Sequence, residues 1–242
     1  MADRGELTPL DDNDFTRVLC VVAHPDDMEY GASAAVATWT RAGKQVGYLL
    51  LTGGEAGMAE DPEQVRTVRA EEQRRACATV GVTDLTILRH PDGMLQPGLE
   101  LRKDIARQIR MFRPDVVLTA NFHVEAYGGL NQADHRVTGI AVIDATRDAA
   151  NRWVFRDLAE TEHLGPWQAT LLLVTGDENP NLAQPVDQRA VDAAVTSLQC
   201  HQAYLRHLPD HPDPEVFIPE ELRKGGEAAG TDYAVLFRGY QL

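Results

Sequence analysis

Between residues 18 and 175, short apolar runs rich in β-branched residues alternate with longer helical patterns, and this alternation limits the fold more than any other feature of the chain. The runs at 18–23, 46–51, 85–88, 115–120 and 170–175 read as strands. Helical patterns fill 31–42, 62–80, 99–112 and 134–150 between them. The first runs are continuously apolar instead of alternating, as expected of strands covered on both faces. Strand and helix in turn, joined by short loops, give an α/β fold: a Rossmann-like, doubly wound, mostly parallel sheet with helices on both faces. Beyond residue 180 the pattern weakens to a helix at 186–205, a loop with prolines and histidines at 208–219 and a strand-like run at 233–240.

The chain of 242 residues suits one large domain at about 150 residues per domain. Residues 1–16, polar and acidic, are expected to form a flexible N-terminal arm, 17–205 the domain proper, and 206–242 a C-terminal extension that caps the sheet edge on the same domain. An apolar fraction of 43% supports a continuous core, and a net charge of −14 disfavours phosphate backbones and anionic lipid. Nucleic acid and membrane insertion are therefore not expected. Cys20, Cys77 and Cys200 form no CxxC pair, so neither a disulfide framework nor a cysteine zinc site is indicated. No signal segment is visible and no apolar run approaches the ~20 residues of a membrane helix, which makes a reducing cytoplasm the expected setting.

Ligands of open parallel sheets bind beyond the carboxyl ends of the strands, where strand order reverses. The first run leads into His24-Pro25-Asp26-Asp27 and then Glu29. The second leads into the glycine turn at 53–57 with Glu55, the third into His90 and Asp92, and the fourth into the loop 121–133 followed by Asp134-His135. A glycine-rich dinucleotide fingerprint, a phosphate loop and a nucleophile elbow are all missing from these places. A cluster of histidines and carboxylates without cysteine suits a hard or borderline divalent metal. His24 and Asp27, three residues apart across a strand-to-helix turn, can point into one site while Asp26 points elsewhere around it. A catalytic zinc needs a further ligand from a distant segment, for which His135 is the best candidate and His123 the next.

The segment Ala23-His24-Pro25-Asp26-Asp27-Met28-Glu29, the turn Thr52-Gly53-Gly54-Glu55-Ala56-Gly57, Arg69 followed by Glu72, and Asp134-His135 together resemble the LmbE-like or PIG-L family of zinc-dependent N-acetylglucosaminyl deacetylases. The resemblance extends over residues 17–205. It implies one zinc ion per chain held by His24, Asp27 and His135, with iron, manganese or cobalt as alternatives for such a site. It further implies Asp26 as the general base for the attacking water, and Arg69 and Asp92 as substrate-binding residues. The implied reaction removes an N-acetyl group from an N-acetylglucosamine-type sugar or glycoconjugate, with a small-molecule amino-sugar substrate as partner and a homo-oligomer possible, since self-association is common in the family.

One departure from the family pattern bears on the reaction. Gln132 stands where many members carry a histidine that helps stabilise the oxyanion, and Leu130 where thiol-cofactor deacetylases carry an assisting tyrosine. A glutamine amide still donates a hydrogen bond, and Tyr127 or His123 in the same loop could substitute for the tyrosine. The rival readings are an amidase that cleaves a cysteinyl-glucosamine thiol conjugate, and a degenerate member that binds sugar or metal without turnover.

Overall fold

A computed structural model describes residues 7–242. In chain order its elements are β1 (Thr8–Pro9), β2 (Arg17–Val22), α1 (Asp27–Gly31), α2 (Ser33–Arg41), β3 (Gln45–Leu50), α3 (Pro62–Thr79), β4 (Asp84–Ile87), α4 (Leu99–Phe112), β5 (Val116–Ala120), β6 (Glu125–Ala126), β7 (Gly129–Leu130), α5 (Ala133–Ala150), α6 (Arg156–Glu160), β8 (Leu171–Thr175), β9 (Leu182–Pro185), α7 (Gln188–Gln199), α8 (Gln202–Arg206), α9 (Pro214–Ala229) and β10 (Ala234–Gln241). One eight-stranded sheet runs β1-β9-β10-β8-β5-β2-β3-β4, and β6 and β7 form a separate hairpin. Strands β4, β3, β2, β5 and β8 are parallel throughout.

The expected α/β class and mostly parallel sheet are what the chain forms. Successive side chains of β2 serve opposite faces. Val18, Cys20 and Val22 join Trp39 of α2 and Val191 and Leu198 of α7 in one core cluster. Leu19, Val21 and Ala23 join Ile105 and Ile109 of α4 and Val142 and Ala145 of α5 in the other. Both layers are thus anchored on one central strand, and the order of strands reverses on either side of it: β3 follows on one flank, β5 on the other. His24 leaves the sheet at this switch point.

Four expectations about the two ends of the chain are corrected. Residues 1–6 of the expected arm lie outside the described residues, but from Thr8 onward the segment is docked: Thr8 and Pro9 pair in parallel with Leu182 and Ala183, and Phe15 is buried. The tail does not cap the edge. Strand β10 inserts antiparallel between β8 and β9, pairing Phe237 with both Thr175 and Leu182. The expected loop at 208–219 contains the start of α9, because Asp213 and Pro214 begin the helix: the Asp213 carboxylate accepts the Glu215 N–H at 2.9 Å and Pro214 occupies the first helical position. The helix expected at 186–205 is broken between Gln199 and Gln202, where His201 is fully buried.

Candidate active site

Ala23 continues β2 into a tight turn whose strain falls on Asp26. Asp26 adopts φ +87°, a left-handed conformation that costs a non-glycine residue of order 1 kcal/mol or more. The turn is held from three sides. The Asp26 N–H donates to Gln73 Oε1 at 2.9 Å, the His24 N–H donates to Asp27 Oδ2 at 2.9 Å, and Arg69 donates to the Pro25 and Gly54 carbonyls at 2.7 and 3.0 Å. Gln73 is itself fixed, since its Nε2 donates to the buried Glu29 carboxylate at 3.2 Å, which also accepts from Ser197. The turn therefore aims the adjacent carboxylates Asp26 and Asp27 in different directions.

Three side chains meet beyond it. His24 Nδ1 lies 3.2 Å from His135 Nε2 and 3.7 Å from Asp27 Oδ1, and His135 Nε2 lies 3.2 Å from Asp27 Oδ1. His135 comes from the first turn of α5, 111 positions from His24 in sequence. The outer nitrogen of each ring is engaged. His24 Nε2 is 3.0 Å from Asp92 Oδ1, and His135 Nδ1 is 3.0 Å from Asn131 Oδ1. Asn131 cannot turn its amide around, because its Nδ2 donates to the Asn121 and His123 carbonyls. Its oxygen must therefore accept the His135 Nδ1–H, leaving Nε2 as a lone pair directed at His24. Two imidazole lone pairs and a carboxylate oxygen facing one point call for a positive centre, a proton or a cation.

Ligands at about 2.0–2.2 Å from a tetrahedral cation stand about 3.3–3.6 Å apart, close to the observed edges of 3.2, 3.2 and 3.7 Å. The donor set of two imidazoles and one carboxylate fits a borderline divalent metal. His24, Asp92 and Asp134 also cluster closely enough to share an ion. Those carboxylates already accept backbone N–H groups, Asp92 from Ala56 at 2.7 Å and Asp134 from Gly93 and Leu95 at 2.8 and 3.1 Å. They brace His24 from behind.

The electrostatics follow from burial and these contacts. Burial pushes the His24 imidazolium down, but the Asp27, Asp134 and Asp92 carboxylates outweigh it and hold its pKa well above the usual value. Burial likewise opposes ionisation of Asp27, yet His24 and His135 hold its carboxyl well below the usual range. Asp26 goes the other way: burial raises it to about 6, against the opposing charge of Arg69, whose Nη2 lies 3.1 Å from Asp26 Oδ2. Tyr127 is 63% exposed as a residue, yet its phenol is pushed up to about 12, by partial loss of water around it first and then by the Asp27 charge.

The expected site residues divide into two groups. His24, Asp27 and His135 converge, and Tyr127 lines a cavity of about 690 Å³ together with Asp27 and His135. Arg69 and Asp92, expected on substrate hydroxyls, face inward instead. Arg69 is 2% exposed, stacked on Tyr204 and bonded to carbonyls of the turn. The Asp92 side chain is 6% exposed, behind His24. Gln132 is exposed at the N-cap of α5, its side chain makes no capping bond, and it contributes nothing to the cavity lining. His123 pairs with Asp177 at 3.1 Å, outside the cluster. Sequence reasoning missed Asn131 and Gln73, which orient His135 and Asp26. Asn131 carried one usable signal, an amide one helical turn before a candidate ligand.

Comparison with known proteins gives a consistent picture. Residues 19–146, more than half of the chain, match the family model described as PIG-L: GlcNAc-PI de-N-acetylase. The diacetylchitobiose deacetylase of Thermococcus kodakarensis is 34% identical over 136 aligned positions, which cover 55% of this chain and 50% of that protein. A 1D-myo-inositol 2-acetamido-2-deoxy-alpha-D-glucopyranoside deacetylase of Kineococcus radiotolerans is 28% identical over 261 aligned positions, covering 90% of this chain and 65% of that protein. The chain thus spans between half and just under two thirds of these curated relatives. In fold it is similar to the N,N'-diacetylchitobiose deacetylase of Pyrococcus horikoshii, with a TM-score of 0.82 at 22% identity over 95% of this chain and 85% of that one.

Proposed function

The chain belongs to the PIG-L family, and from that premise we propose that it is a metal-dependent deacylase that hydrolyses the amide of an N-acetylglucosamine-type substrate. The observation that carries the reading is the convergence of His24 Nδ1, Asp27 Oδ1 and His135 Nε2 on one point with both outer ring nitrogens already engaged. These three residues would hold one divalent cation, zinc by preference. When bound there, such a cation activates water and polarises the amide carbonyl.

The remaining chemistry falls to the chain's own groups. Asp26, with a pKa raised to about 6, is ionised at neutral pH yet basic enough to accept the proton of the attacking water. It then returns that proton to the departing amine. Arg69 and Gln73 fix its direction. Asp92 and Asn131 hold the two imidazoles in the tautomers that leave His24 Nδ1 and His135 Nε2 free. Tyr127 stays protonated at neutral pH, so its hydroxyl is a donor for the developing oxyanion, the role first assigned to Gln132.

Three cysteines without disulfides agree with a reducing, cytoplasmic setting, and no helix among the described residues is long and apolar enough to cross a membrane. The test is metal content of the purified protein, followed by acetate release from N,N'-diacetylchitobiose, N-acetylglucosaminyl inositol and N-acetylglucosaminyl malate, measured by mass spectrometry. Stoichiometric metal with acetate release that depends on Asp26 is expected. Full activity in metal-free protein, or in His135→Ala, overturns the reading.

A further inference from the structure

The break between α7 and α8 carries His201 into the interior beside Glu29. The residue is 0% exposed, and neither of its ring nitrogens has a hydrogen-bond partner. Its Nε2 lies 3.6 Å from Glu29 Oε2, an oxygen that also takes part in no hydrogen bond. Groups this polar are not buried without compensation. Glu29 Oε1 shows what kind of compensation is needed, because it accepts from Gln73 Nε2 and from Ser197 Oγ, both at 3.2 Å. A carboxylate so deep requires a countercharge, and among the described residues His201 is the only basic side chain that forms an ion pair with it. Burial pushes the His201 imidazolium down, but the Glu29 carboxylate and then the Asp26 charge outweigh it and hold its pKa above the usual value.

This pair stands at the end of a chain with a direction. The Gln73 amide turns its nitrogen toward Glu29 Oε1 and toward Cys77 Sγ, at 3.2 and 3.6 Å, which leaves its oxygen for the Asp26 N–H. Turned round, the same amide would set an oxygen against the Glu29 carboxylate and an N–H against the Asp26 N–H. We infer that His201 is a positioning residue for the base: as the countercharge of Glu29 it fixes the sense of the chain Glu29–Gln73–Asp26, and through it the direction of the Asp26 carboxylate. His201 itself does not line the cavity, so it acts only through these neighbours. The inference rests on the deacylase reading for the task of Asp26, and on the hydrogen-bond chain for the means.

The experiment is a double-mutant cycle on metal-loaded, full-length protein with N,N'-diacetylchitobiose as substrate. His201→Phe, which removes the charge and keeps the bulk, lowers kcat by about 10–100-fold while KM and metal content stay within about twofold. His201→Gln, whose amide still donates toward Glu29, recovers most of that loss. In a Gln73→Leu background His201→Phe lowers kcat no further, because the chain it acts through is already cut. Losses that multiply in the double variant overturn the inference, as does unchanged kcat in His201→Phe. If His201→Phe does not fold, His201→Gln carries the same cycle, with a loss of about two- to fivefold in kcat that vanishes beside Gln73→Leu. An equal loss in both backgrounds, or none in either, overturns the inference. If the parent cleaves no amide at all, the deacylase reading fails, and nuclear magnetic resonance decides the chain separately. A shift of the Asp26 backbone N–H signal in His201→Gln that disappears beside Gln73→Leu upholds it. The same shift in both backgrounds, or no shift, overturns it.

Discussion

Gln73 and Asp26 are joined by a 2.9 Å hydrogen bond in which the side chain of a long surface helix accepts the backbone N–H of a residue held at φ +87°. The bond reaches across 47 positions of sequence and ties the base to the buried Glu29 carboxylate through the other end of the same amide. Gln73→Leu removes both connections. It is expected to lower kcat by about 10–100-fold with little change in KM, because it misdirects a proton-transfer group. It also leaves buried polar groups unpaired, at about 1–3 kcal/mol of stability. Kinetics beside thermal denaturation check both; unchanged kcat in a folded variant removes Gln73 from this role.

Occupation of the three-ligand point should displace a proton. The His24 pKa is held well above the usual value by Asp27, Asp134 and Asp92 in spite of burial, which favours a proton on the ring where it faces His135 in the metal-free protein. A cation must replace that hydrogen. Zinc titrations in buffers of different ionisation enthalpy are expected to show release of about one proton per ion, with affinity falling by up to about tenfold per pH unit on acidification. Affinity that does not vary with pH contradicts this.

Asn131→Ala is expected to weaken metal binding by about 10–100-fold without removing a ligand, because it frees the His135 ring to rotate and to change tautomer. Competition against a chelator measures it. Asp92→Ala acts on His24 in the same way, whereas Arg89→Ala, at an exposed side chain that pairs with Glu63, serves as the control.

The acid limb of the rate profile belongs to Asp26. A base works only when ionised, and burial has raised this carboxyl to about 6 despite Arg69, so kcat/KM falls as pH drops through that region. A bound cation pulls the midpoint lower; Arg69→Met, which removes an opposing charge, moves it higher. Asp26→Asn abolishes the limb and costs about 10²–10⁴-fold in rate. A limb that survives in Asp26→Asn assigns it to another group.

Tyr127→Phe is expected to reduce kcat by about 10²-fold, as loss of an oxyanion donor does, with KM nearly constant. Gln132→Ala, at an exposed helix cap, stays within about threefold of the parent. The reverse order of effects would return the role to Gln132.

The residues that form the cluster were legible because each is local to a strand end: a continuous apolar run, then His24 and Asp27, and later His135 at a helix start. What orients them was not. Gln73 and Asn131 act through contacts that depend on how α3 and the loop before α5 approach the turn, and no spacing rule encodes that approach. Arg69 and Asp92 carry charge, which suggested contact with substrate. Only the packing shows that carbonyls of the turn and the Tyr204 ring enclose Arg69, and that Asp92 backs His24. Strand β10 was visible as a strand but not as an inner one, since antiparallel insertion between β8 and β9 pairs segments about 60 residues apart and leaves no local trace. Pro214 misled by its usual meaning, although with Asp213 before it the pair is a start signal for a helix.

That inserted strand gives one piece of backbone two duties. Ala234, Val235 and Leu236 contribute to the lining of the hollow, and through the same residues the pair β9 and β1 is fastened to the rest of the sheet. Loosening this strap to widen the hollow would slacken the seam that secures the outermost strands, so evolution toward bulkier guests has to proceed through side-chain trimming on the helix opposite, leaving the strap in place.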